Sequence, residues 1–226
     1  MKLSVVMPVY NEKATIREIL DRVRQVALDK EIICIDDAST DGTSDILEEE
    51  AAKGRIKLLR HPQNRGKGAA VSTGLGVVEG DAVIVQDADL EYDPEDYHAV
   101  LGPIMRGEAR VVYGSRFRGQ RQHMSLGSSV GNSLLTAIAS LLFGTALTDM
   151  ETCYKAFTVD VARKLRLASP RWGFDPEITA RILKMGHRIR EVPISYRGRV
   201  HREGKKIRWR DGFVVLLTLL RYRFFD

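Results

Sequence analysis

"DAVIVQDADLEYDPED", residues 81–96, passes without a break from an apolar run to Asp87, Asp89 and Glu91 at every second position. A short apolar run closed by turn-forming residues reads as a buried strand. Side chains two apart on a strand point the same way, so continued strand geometry would put all three acids on one side. Like charges gathered there repel one another and call for a cation. Oxygen ligands with no His or Cys nearby favour a hard ion, Mg2+ or Mn2+. In isolation the same triplet also reads as turn-forming acids at a strand end.

Outward from this run the pattern repeats. "LSVVMPV" (3–9) is a strand signal, and Ile16, Ile19, Leu20 and Val23 recur at helical spacing within 12–28. "EIICID" (31–36) is a second strand, followed by a turn, caps and a helix ending near Gly54; Asn11 and Asp41 are candidate N-caps. "IKLLRH" (56–61) is a third strand, residues 66–80 a turn and helix, 81–87 the fourth strand with a helix starting near Pro94, and "ARVVYGS" (109–115) the fifth. Strands alternating with helices predict an α/β fold, a mostly parallel Rossmann-like sheet with helices on both faces. Ligands in such sheets sit beyond the carboxyl ends of the strands. The polar run-ends "PVYNE", "DDASTDG", "NRGKG", "DADLE" and "GSR" therefore converge by topology. The glycines of "NRGKGAAVSTG" match neither phosphate-loop nor dinucleotide spacing and imply only a tight turn into a helix, with Lys67 near it.

With 226 residues, 44% hydrophobic and 29% charged, the chain suits one globular domain, 1–226. Its net charge of +5 is uneven: residues 197–226 hold nine Lys/Arg against three acids, a local +6 that leaves about −1 for the rest. A basic tail on a neutral body suggests an anionic partner: ligand phosphates, a membrane surface or a nucleic acid. No helix-turn-helix, zinc or aromatic-platform pattern supports the last of these. Cys34 and Cys153 lack metal or disulfide-scaffold spacing and read as reduced thiols. The start "MKLSVVMPVYNE" has no apolar signal segment, so a cytoplasmic location is expected. Met124–Thr148 is uncharged, but its Ser, Thr, Asn and Gly residues argue against a spanning helix. Leu135, Ile138 and Leu142 on one stripe, with Ser133, Thr136, Ser140 and Gly144 on another, suit an interfacial helix or an ordinary core helix. "FVVLLTLL" (213–220), flanked by Arg208, Arg210, Arg221 and Arg223, is too short to span and suits an anionic lipid surface.

"MPVYNE", "IDDASTDGT", "NRGKGAA", "QDAD", "GSR" and "TDMETCYKAF", in this order and continuing through "PEITARIL", "EVPISYRGR" and "EGKKIRWRDG", resemble glycosyltransferase family 2. The resemblance extends over essentially the whole chain and is closest to the polyprenyl-phosphate branch, which includes dolichol-phosphate mannose synthases. It implies an A-type glycosyltransferase fold, with a nucleotide-sugar-binding half (1–120) and an acceptor-binding half (121–226). The activity implied is inverting transfer of a hexose from a GDP-mannose- or UDP-glucose-type donor to polyprenyl phosphate, at the inner face of the cell membrane. Mg2+ or Mn2+ would serve as cofactor, the chain would bind the membrane surface peripherally, and a separate membrane subunit is compatible with it; no nucleic acid is expected.

By the same resemblance Pro8, Tyr10, Glu12 and Asp37 would line the base and ribose pocket, Asp37 accepting from a base N–H. Asp89 would be the first metal ligand, assisted by Asp87 and Glu91, and Arg116 a diphosphate clamp. Asp149 would orient the sugar or acceptor, although Thr148 and Glu151 of "TDME" also match a helix capping box. Relatives of the dolichol-phosphate type often have an arginine where "SSVGN" has Ser129, so an acceptor-phosphate cation is missing there; Arg199, Arg202 and Lys205 are candidates to replace it over the diphosphate. In the alternative reading, a family member acting on a soluble or protein hydroxyl, Asp149 would be an obligatory base. An ionised lipid phosphate needs none.

Overall fold

The computed structural model describes residues 1–169, 171, 173–198 and 211–225. Apolar residues of β1 (Leu3–Val9), β2 (Lys30–Asp36) and β4 (Ala82–Val85) are almost all fully buried, as strands covered on both faces require. β3 (Lys57–Arg60) is shorter and half-exposed, which fits its place at the edge of the sheet. The seven-stranded order is β3-β2-β1-β4-β7-β5-β8, with β5 at Val111–Ser115, β7 at Lys155–Thr158 and β8 at Ile189–Pro193. β1–β4 and the β5–β8 pair run parallel, whereas β7 lies antiparallel between β4 and β5. β6 (Arg121–Gln122) and β9 (Tyr196–Arg197) form a small parallel pair.

The connecting helices follow the sequence periodicity. α1 (Ile16–Gln25) buries Ile16, Ile19, Leu20 and Val23, and α2 (Thr43–Ala52) ends just before Gly54, whose φ is +69°. α3 spans Lys67–Leu75; a single 3-10 turn, Pro94–Asp96, leads into α4 (Tyr97–Met105). Two local expectations are corrected. Asn11 and Asp41 do not occupy the N-cap positions, which are Thr15 and Gly42. "TDME" starts no helix: residues 148–154 form turns leading into β7, and α6 begins only at Val159 (Val159–Lys164). Thr148 instead donates to Glu191 on β8.

Two strands from the second half, β7 inside and β8 at the edge, complete the sheet begun by the first, so the two halves share one sheet. α7 (Phe174–Lys184) is buried along most of its length and contacts α3, α5 (Leu126–Phe143) and α8 (Asp211–Phe224). α5 and α8 also pack on each other through Ala139, Val215 and Leu219, together with Met150. They form an outer layer over α7. Contrary to the expectation from its diluted composition, α5 is long and apolar enough, by length and composition, to cross a membrane. Its outward positions are Leu126 (85% exposed), Val130, Leu134 and Leu141, and those of α8 include Phe213, Leu217 and Phe224.

Candidate active site

The carboxyl ends of β1 and β2 are laced together by loop bonds. Asn11 N–H donates to Ser39 Oγ (3.1 Å), Asn11 Oδ1 accepts from Thr40 N–H (2.8 Å), and Glu12 and Lys13 N–H donate to Thr43 Oγ1 and Asp41. The lacing requires left-handed backbone at Asn11 (φ 53°) and Ala38 (φ 62°); Asn tolerates this readily, whereas at Ala38 it stores strain beside Asp37. Half-buried Pro8, Tyr10 at the end of β1, and Glu12 therefore share one rim with Asp37.

Asp37 is 3% exposed, and its carboxylate organises the turn before α3. Oδ1 accepts from Arg65 N–H (2.8 Å) and pairs with His61 Nδ1 (2.7 Å), while Oδ2 accepts from Gly66 N–H (2.7 Å). Gly66 has φ +90°, a conformation that favours glycine, and the turn delivers Lys67 as the first residue of α3. Lys67 Nζ then pairs with Asp87 at 2.7 Å. Burial opposes the charge on Asp87, but Lys67 outweighs it and holds the carboxyl below its ordinary range.

β4 stops at Val85, and residues 86–91 are irregular, so the every-second-position geometry expected for the acids does not continue beyond the strand. Gln86 fixes the start of this loop: its Oε1 accepts from Tyr97 OH (2.7 Å) and Tyr154 OH (2.8 Å), and its Nε2 donates to Asp87 O. Asp89 Oδ1 accepts from Glu91 N–H (3.1 Å), and Glu91 Oε2 accepts from Tyr196 OH (2.9 Å). Among the described residues no three His, Cys, Asp or Glu side chains converge as a metal cage. The three acids therefore do not stand as one preformed cage. The donors present, Asp89 and the Lys67-paired Asp87, still fit a hard cation that takes one or two carboxylates and fills its shell with waters and substrate phosphates.

Arg116 and Asp149 are found together. Arg116, 6% exposed, donates from Nε and Nη2 to the two oxygens of the fully buried Asp149, both at 2.7 Å, and its backbone N–H adds a third bond to Asp149 at 2.9 Å. Glu191 accepts from the Asp149 and Thr148 backbone N–H groups (2.9 and 2.8 Å). The guanidinium fork is thus filled by a buried carboxylate rather than open to a phosphate, and that carboxylate faces its arginine. The guanidinium lies 5.2 Å from the Tyr196 ring centroid, which connects this pair with Glu91.

Deeper still, Lys155 of β7 is fully buried against Asp175 of α7. Glu151 is pushed up to about 8 by burial and by repulsion from Asp175, against the pull of Lys155 and Arg116. Among the described residues its buried Oε1 has no hydrogen-bond partner. Arg199, Arg202 and Lys205 lie outside the described residues. The residues that sequence reasoning missed are Glu191, Tyr196, Gln86 and the Lys155–Asp175 pair. An acid within the strand-like "IREVP" was the only local signal, for Glu191.

The sequence model described as glycosyl transferase family 2 matches residues 4–165. An undecaprenyl-phosphate mannosyltransferase of Micrococcus luteus is 28% identical over 205 residues, covering 87% of this chain and 84% of its own. A UDP-N-acetylglucosamine–dolichyl-phosphate N-acetylglucosaminyltransferase of Methanococcus voltae is 30% identical over 211 residues, 84% of either chain. The structure is similar to glucosyl-3-phosphoglycerate synthase of Mycobacterium tuberculosis, solved with Mn2+, UDP and phosphoglyceric acid, with a TM-score of 0.76 and 21% identity over 100% of this chain and 79% of that one. At that identity the likeness concerns the fold, which is the A-type.

Asp149→Ala should lower unfolding free energy by about 3–5 kcal/mol in urea titrations, because it strands a buried guanidinium; Arg116→Met with Asp149→Leu should cost distinctly less. The raised Glu151 carboxyl means that the folded protein holds this proton more tightly than the unfolded chain. Stability from this group is therefore complete below pH about 4.3 and is lost as pH rises through about 8. Glu151→Gln should flatten that fall in melting temperature; an unchanged slope would show that Glu151 does not carry it.

Proposed function

The chain belongs to glycosyl transferase family 2, and we propose that it moves a hexose from a UDP- or GDP-sugar onto polyprenyl phosphate with inversion at the anomeric carbon. The observation that carries this reading is the closure of Asp149 on Arg116. An attacking hydroxyl needs a base to take its proton, and the acid expected for that task is fully buried and already paired. A lipid phosphate oxygen is ionised near neutral pH and attacks without one. The relatives from Micrococcus luteus and Methanococcus voltae, named for transfer to undecaprenyl and dolichyl phosphate, support the same acceptor class.

In this reading residues 1–120 bind the donor and 121–226 the acceptor. Tyr10 and Pro8 line the base pocket beside Glu12. Asp37 holds the Arg65–Gly66 turn and has lone-pair capacity left on Oδ2 for a base N–H. Asp89, with Asp87, would hold Mg2+ or Mn2+; the ion, when bound, offsets the charge that builds on the departing diphosphate. Lys67, at the start of α3, is the fixed cation nearest those acids, and Arg199, Arg202 and Lys205 remain candidates to reach the phosphates.

The acceptor's tail needs a bilayer, and the outward rows of α5 and α8 suit its surface. Leu126, Val130, Leu134, Leu141, Phe213, Leu217 and Phe224 are apolar and 60–85% exposed, and Arg221 and Arg223 are exposed on the same helix as the last three. Apolar rows beside arginines match an anionic lipid interface. The position is peripheral, at the cytoplasmic face, with or without a separate membrane subunit.

Radiolabelled sugar should pass into the organic phase when polyprenyl phosphate is added with the right donor, and Asp89→Asn should abolish that transfer; label accumulating only on water-soluble acceptors would refute the reading. In flotation with phosphatidylglycerol vesicles, Leu134→Glu with Leu141→Glu should lower bound protein about tenfold or more, since burying each leucine contributes about 1.5–3 kcal/mol. Flotation equal to wild type would exclude this face.

A further inference from the structure

The acid loop after β4 is fastened to a strand about a hundred residues further along the chain. Tyr196 OH donates to Glu91 Oε2 at 2.9 Å, with a separation of 105 residues. Arg197 N–H donates to Glu91 O, also at 2.9 Å, and an antiparallel bridge joins Tyr92 to Tyr196. The two tyrosine rings meet edge to face with centroids 5.3 Å apart. On its other side Tyr196 lies under Arg116, whose orientation is set by Asp149 and, behind it, by Glu191. Tyr92 is tied down in turn, its OH accepting from Cys153 N–H at 3.0 Å. The loop that offers Asp89 is therefore gripped at Glu91 and Tyr92 by groups from β9 and the turn before β7.

We infer that Tyr196 is a positioning residue for donor binding: by holding the Glu91 carboxylate it sets the backbone that presents Asp89, so that Glu91 acts through the loop rather than as a ligand. The inference rests on the donor-site reading above and deepens it. Two features support it. Glu91 N–H donates directly to Asp89 Oδ1, so turning residue 91 moves the Asp89 carboxylate with it. The guanidinium over the ring restrains the phenol without using its hydroxyl.

The two roles for Glu91 separate on removal of its side chain: Tyr196 engages only Oε2, so if the carboxylate were also a cation ligand Glu91→Leu would cost far more than Tyr196→Phe. If Tyr196 positions the loop, Tyr196→Phe weakens affinity, because a hydrogen bond to a charged group is lost while the ring packing stays. The probe is MnCl2 titrated calorimetrically in the presence of UDP, and separately of GDP, against wild type, Tyr196→Phe, Glu91→Leu and the double variant. We expect Tyr196→Phe and Glu91→Leu each to weaken Mn2+-dependent nucleotide binding about tenfold with little change in melting temperature, and the double variant to be no worse than either, since all three delete one bond. Tyr196→Phe binding as tightly as wild type or tighter, or Glu91→Leu falling far below it, overturns the inference and leaves the donor site standing. Should Glu91→Leu fail to fold, Tyr196→Phe still decides the positioning role, which equal or tighter binding would overturn. Wild type that binds neither nucleotide with Mn2+ overturns the donor site and this inference together.

Discussion

A buried arginine closed on a buried aspartate, Arg116 on Asp149, is the constraint from which the rest of the site follows. Two charges taken out of water are tolerable only with near-ideal geometry and with their remaining bonding capacity filled. The protein supplies a bidentate fork and a third bond from the Arg116 backbone, and the Glu191 carboxylate fixes the same turn by receiving the N–H groups of residues 148 and 149. The end of β5, the turn before β7 and the edge strand β8 are thereby locked together. Chemistry that asks Asp149 to take a proton has to break that lock, whereas attack by an ionised phosphate leaves it intact.

The same lock orders the other components. Arg116 packs over Tyr196, Tyr196 holds Glu91, and Glu91 lies two residues from Asp89. Across the sheet the β1 and β2 loops are laced by their own short bonds, with Asp37 and Gly66 setting the turn that brings Lys67 to Asp87. One rim is thus assembled from contacts within the first half and the other by contacts reaching back from the second. They meet at the acid loop because β7 is inserted between β4 and β5.

This difference decides how much of the molecule is legible in its sequence. The buried faces of β1, β2, β4 and α1 are written in residues close together, and the strand ends follow from topology, so these elements can be read from residue order alone. Strand alternation, by contrast, does not extend as far as the acids suggest: β4 stops at Val85, where Gln86 is taken by Tyr97 and Tyr154. Arg116 resembles a clamp because its partner lies 33 residues away. "TDME" resembles a capping box because Glu191, which receives the Thr148 N–H, is 43 residues away. The antiparallel β7 is illegible, since four residues, "KAFT", give too short a pattern to distinguish from a turn. The misread side chains share one cause: a buried charged or polar group chooses its partner in space, and a local window holds only half of the pair.

The most direct test is a crystal structure of the protein soaked with MnCl2 and the tighter-binding nucleotide, read by the anomalous signal of manganese. The account predicts the ion between the diphosphate and Asp89, with Asp149 still closed on Arg116 and Tyr196 still on Glu91. Manganese seated away from Asp89, or Asp149 swung off Arg116 into the sugar pocket, would contradict it.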